Sequence, residues 1–247
     1  MNINFSKLLT SLIVITILSA KVVLAGPPFT TDDPVPVSFT HWEFYVSSAM
    51  DYTTSESDVT LPHFEINYGL VPNVQVHLLA PLDYNHSPGG TIYGYSDTEL
   101  GVKYRFINSD DGSFQVGTFP LVLVPTGNKN TNLGEGHTRV YVPIWIQKTS
   151  GKFTTYGGGG FWYNPGPGNR NWGFVGWEAQ YDLSEVVTLG GEIYYQTADN
   201  VDSKSNEGFS LGGYLNIDEH NHILFSFGKT FNGENSTTGY LGYQLTI

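Results

Sequence analysis

The chain has 247 residues, no cysteine, 15% aromatic side chains, and 23 acidic against 11 basic residues for a formal charge of −12. The missing thiols exclude a disulfide framework, a thiolate metal site and a lipid anchor on an N-terminal cysteine. The acidic balance argues against nucleic acid as a partner.

In chain order, residues 1–25 have the layout of a secretion signal peptide. Lys7 supplies positive charge, LLTSLIVITILSA over 8–20 is the apolar run, and Val23-Leu24-Ala25 is the small-residue end. The run is shorter than the roughly 20 residues a spanning helix needs, and Lys21 closes it. Cleavage after Ala25 starts the mature chain at Gly26. It removes Lys7 and Lys21 and leaves nine basic against 23 acidic residues, a formal charge of −14.

Residues 26–38 show no strand period and are expected to form an N-terminal periplasmic segment. Its Asp32-Asp33 pair lacks the spaced oxygen ligands of a calcium loop. The segment leads into the first strand and has the option of folding into the periplasmic mouth of whatever follows.

From residue 39 onward, apolar and polar side chains alternate with period 2 between clusters of Gly, Pro, Asn, Asp and Ser. The expected strands run over 39–50, 59–68, 73–84, 96–107, 113–125, 138–149, 152–163, 172–182, 186–197, 207–217, 221–231 and 238–247. Each is long enough to cross a bilayer at a tilt. Short links (69–72, 108–112, 150–151, 183–185, 218–220) alternate with longer ones (51–58, 85–95, 126–137, 164–171, 198–206), and 232–237 is of modest length. That rhythm predicts an all-β fold: a transmembrane antiparallel up-and-down β-barrel of about twelve strands over 39–247, with short turns and both termini in the periplasm.

The fourth strand separates its faces cleanly. Thr98, Leu100, Val102, Tyr104 and Phe106 share one, while Asp97, Glu99, Gly101, Lys103 and Arg105 share the other. A soluble sandwich has the same alternation with the apolar face turned inward, so periodicity alone does not choose between them. Aromatic residues near strand ends on the apolar parity (Tyr68, Tyr84, Phe106, Tyr181, Tyr195, Phe209, Phe231) point to membrane interfaces.

Two stretches, GPPFTTDDP followed by HWE within 26–43 and FEINYGLVPNVQVHLLAP over 64–81, resemble the outer-membrane proteins of the MetA-pathway phenol-degradation family and its transporter-like relatives. LGGE at 189–192 and the terminal strand agree more weakly. The resemblance implies an outer-membrane barrel that passes small molecules. The last strand also resembles an assembly signal for the barrel assembly machinery, with Tyr243, Leu245 and Ile247 on one face, although it ends in Ile where Phe is usual.

Counted from the periplasmic end, Glu43, Glu65, His77 and Lys103 fall at similar depth on neighbouring strands. His41 and Arg105 lie slightly below, and Glu99 shares the inward face of Lys103. Two readings stand: cross-strand ion pairs that stiffen the wall, or a region selecting among solutes. His41, His63 and His77 are inward on consecutive strands, but strand spacing alone does not make a metal site, and hydrated lumen histidines are the simpler reading. There is no GxSxG elbow, and the GGGG at 157–160 lacks the Lys-Ser/Thr tail of a phosphate loop. The chain is therefore expected to be no enzyme and to need no cofactor. It is read as a channel or transporter in the cell outer membrane for small, hydrophobic or aromatic solutes, with outer-membrane lipid around it. A structural or adhesive barrel displaying the 126–137 loop is the alternative, and a hydrolase a more distant one. Twelve strands exceed the roughly eight whose side chains fill the interior and fall short of open 16–18-stranded porins, which predicts a narrow or partly plugged lumen.

Overall fold

The computed structural model describes residues 27–54 and 56–247; the expected signal peptide and the Gly26 start lie outside them. Alternating sequence becomes a single antiparallel sheet of fourteen segments. In chain order they are β1 (Trp42–Tyr52), β2 (Ser57–Val71), β3 (Val74–Ser87), β4 (Gly90–Tyr95), β5 (Thr98–Asn108), β6 (Phe114–Thr118), β7 (Leu121–Val124), β8 (Arg139–Ser150), β9 (Phe153–Tyr163), β10 (Trp172–Asp182), β11 (Val187–Gln196), β12 (Asn206–Asn216), β13 (Asn221–Asn232) and β14 (Thr237–Thr246). Sequence neighbours pair, except that β5 pairs with β3 rather than β4 and β6 with β8 rather than β7, and β1 pairs with β14 from Glu43↔Thr246 to Tyr52↔Thr237. That last ladder closes the barrel; among the described residues β4, which pairs with β3 alone, keeps one side unpaired.

Fourteen segments make twelve barrel strands because two are interrupted. β4 and β5 continue one another across Ser96-Asp97. β6 and β7 do so across Phe119-Pro120, where proline brings no N–H to the ladder. The link expected as a loop at 85–95 is instead mostly hairpin: β3 and β4 pair from Leu82↔Tyr95 to Ser87↔Gly90. The β-branched and aromatic residues of TIYGY support that extension.

Burial resolves the ambiguity that periodicity left. On β10, Val175, Trp177 and Tyr181 are 51%, 50% and 49% exposed, while Glu178 and Gln180 are buried. Elsewhere Val142, Ile144, Ile193, Leu211, Phe227 and Leu241 also face out. Among the described residues, buried polar side chains outnumber buried apolar ones by 23 to 12. A soluble sandwich has the opposite distribution, so this wall is made to stand in lipid. Tyr84, Phe106, Tyr181, Tyr195 and Phe231 of the expected aromatic girdles are among the outward, exposed rings.

Candidate functional site

The segment before β1 goes further than the mouth of the barrel: it lies inside the lumen. The backbone N–H groups of Thr30 and Thr31 donate to Glu192 Oε1 and Oε2 on β11 at 3.0 and 2.7 Å. Ser226 Oγ on β13 donates to the Pro28 carbonyl at 2.6 Å, and the Val37 N–H donates to Gln75 Oε1 on β3 at 2.9 Å. Lys103 Nζ on β5 stands 2.9 Å from Asp32 Oδ1 and 3.6 Å from Asp33 Oδ2. Thr31 and Asp33 are both 0% exposed. One short segment is thus tied to strands on several sides of the barrel.

Glycines in the wall make room for it. A Cβ at Gly176 would stand 2.1 Å from Thr31 Oγ1, and one at Gly69 would stand 2.0 Å from the Ser38 carbonyl oxygen. At both positions any larger residue pushes the segment away from the strand.

The residues that the sequence placed at one depth divide into separate groups. Glu65, His77 and Glu99 do meet. His77 Nδ1 is 3.5 Å from Glu65 Oε1, and Nε2 is 3.1 Å from Glu99 Oε1. Asn67 bridges them, donating to Glu65 Oε1 at 2.8 Å and bonding His77 Nδ1 through Oδ1 at 2.7 Å. Glu43 accepts from the Tyr45 hydroxyl at 2.8 Å. Lys103 turns to Asp32 and Asp33, two acids that periodicity could not place. Arg105 holds Asn73 Oδ1 through Nε and Nη2 at 3.0 and 2.7 Å and reaches Gln115. His41 and His63 are taken up by the Phe39 carbonyl and by Thr60.

Beside the inner segment, at the end of the barrel that carries the short turns, opens a chamber of about 790 Å³ lined by Val37, Phe39, His41, Glu43, Arg105 and Asp111 among others. In the turn at its rim, Asp111 accepts from Ser109 Oγ and the Ser113 N–H, and these bonds lower its carboxyl to about 2. Opposite the polar chain of β2, β3 and β5, aromatic rings line β8 to β11. Tyr141 stacks on Trp162 at 4.8 Å, Trp162 on Trp172 at 5.3 Å and Phe174 on Tyr194 at 6.1 Å, with Trp145 edge-on to Phe174. The lumen therefore has a polar wall over β2, β3 and β5, a wall over β8 to β11 where aromatic rings stand among Gln147, Glu178, Gln180 and Glu192, and a peptide segment bonded to both.

A closed twelve-stranded barrel, apolar outside and polar inside, defines an outer-membrane-type β-barrel. Solved structures of that class are similar to this one. The COG4313 outer membrane channel from Pseudomonas putida F1 superposes with a TM-score of 0.71 at 15% identity, covering 87% of this chain and 97% of that one. The KdgM porin does so with a TM-score of 0.57 at 9% identity over 81% and 98%. The CymD monoaromatic hydrocarbon channel gives 0.53 at 9% identity over 85% and 89%. No protein-family profile matches the chain, and no curated protein matches its sequence.

Proposed function

We propose that the protein is a channel of the outer membrane that passes small solutes, apolar or aromatic ones in particular, through a lumen regulated by its own N-terminal segment. The observation that carries this reading is the way the segment is held. Its polar contacts are hydrogen bonds and two ion-pair contacts of one lysine, beside the buried side chains of Phe29, Pro34 and Val37, within a barrel of twelve strands. A twelve-stranded barrel has interior space that its wall side chains alone do not fill, and polar contacts to a peptide exchange readily with water once it moves. The aromatic wall of Tyr141, Trp162, Trp172 and Phe174 supports the solute class, since flat apolar molecules gain from ring contacts. The fold shared with outer-membrane channels and porins supports the location.

Proteoliposomes test the reading. Vesicles carrying folded protein should take up a small aromatic solute such as benzyl alcohol faster than empty vesicles. Vesicles carrying folded protein that take up none would favour a barrel that only displays its loops.

A further inference from the structure

Glu178, at the middle of β10, is 0% exposed and points inward, and neither carboxylate oxygen receives a hydrogen bond from any described residue. Its cross-strand partners are Glu192 on β11 and Tyr156 on β9. The carboxylate leans over Gly190, where a Cβ would stand 2.3 Å from Glu178 Oε1. Glu192 is satisfied by the two threonine N–H groups, and Lys103 is committed to Asp32 and Asp33. The charged groups acting on Glu178 are thus two further acids, Glu192 and Asp33. The buried phenols of Tyr156 and Tyr214 meet beside it, and neither hydroxyl bonds the carboxylate; Thr31 Oγ1, which lies against Gly176 two residues along β10, is without a hydrogen-bond partner.

A buried carboxylate without a donor or a counter-charge is strongly unfavourable, and a second carboxylate alongside makes it more so. The groups around Glu178 are two acids, ring faces, and hydroxyls that can accept as well as donate and that make no bond to it. Such a setting suits a cation, whose N–H donors or bare charge meet the oxygens while the rings add cation–π attraction. We propose that Glu178 is the centre of a site for a small monovalent cationic group, the ammonium of a primary amine or an alkali ion, in the barrel wall beside the inner segment. This rests on the channel reading only in that such a cation arrives through the lumen.

Thermal unfolding of the detergent-folded barrel tests it, with n-butylammonium chloride or sodium chloride titrated at constant ionic strength against choline chloride. A ligand that binds only the folded state raises the midpoint with concentration. Butylammonium should raise it in the wild type and in Glu219→Gln, a change in an exposed turn, and should not in Glu178→Gln. Glu178→Asp keeps the charge and should keep a weaker rise. A wild-type rise in sodium equal to that in butylammonium, again lost in Glu178→Gln, assigns the site to alkali ions. No rise with either cation, or an equal rise in Glu178→Gln, overturns the proposal. Mobility of unheated samples on gels checks that each variant is folded. Transport is not needed for this measurement, so its failure leaves the channel reading standing, and absent flux leaves this site standing.

Discussion

Lys103 is the one buried lysine or arginine among the described residues, and two acids of the inner segment neutralise it. Replacing it with methionine strands Asp32 and Asp33 in the lumen, and removing one partner of a buried pair costs roughly 3–5 kcal/mol. Urea unfolding of Lys103→Met should show a loss of that order, and adding Asp32→Asn and Asp33→Asn should recover most of it. Unaltered stability in Lys103→Met would mean that these contacts do not hold the segment. Alternation along the strand was enough to turn Lys103 inward, but not to find its partners, which stand 71 and 70 positions upstream in a stretch without period. Glu43 and Glu65, the partners suggested by depth, are served by Tyr45, Asn67 and His77. Replacing both with Gln therefore leaves Lys103 paired. The reversal potential in a salt gradient should move toward anions while melting stays near native, because charge in a narrow low-dielectric path biases ions. A large loss of stability with an unmoved potential would make the two acids structural only.

Among the elements, strands were readable wherever side chains alternate, because a wall with lipid on one side and a polar lumen on the other imposes period 2. Two features were not. The interruption at Phe119-Pro120 falls where alternation gives way to the apolar run FPLVLVP, and Pro120, which brings no N–H, separates the expected strand over 113–125 into β6 and β7. The inner segment gave no pattern at all, since its structure comes from contacts such as Ser226 to Pro28, 198 residues apart. Loop lengths carry a prediction of their own. Single cysteines are clean reporters in a chain that has none. At Asn130, in the 3₁₀ turn Lys129–Thr131, or at Asn200, they should react with impermeant thiol reagents on intact cells. At Asp110 or Glu219, in the turns at the opposite end, they should react only after the outer membrane is opened. The reverse pattern would invert the barrel.

Taken as one body, the protein is a polar interior inside an apolar wall, so water-soluble behaviour is the outcome its surface least allows. The protein should fractionate with outer membranes, and unheated samples should run differently on gels because a closed ladder resists detergent. Recovery as a soluble periplasmic monomer would contradict this. Filling of the lumen by residues 27–38 is what distinguishes a regulated channel from an open one. Single-channel recording of the wild type against a variant lacking 27–38 addresses that point. β1 to β14 still close without the segment, and Lys103 and Glu192 are hydrated once the lumen opens, so the variant should fold. Its unitary conductance should be several-fold that of the wild type. Equal conductances from two folded proteins would show that the segment does not obstruct the path, and the account of a self-plugged channel would fail.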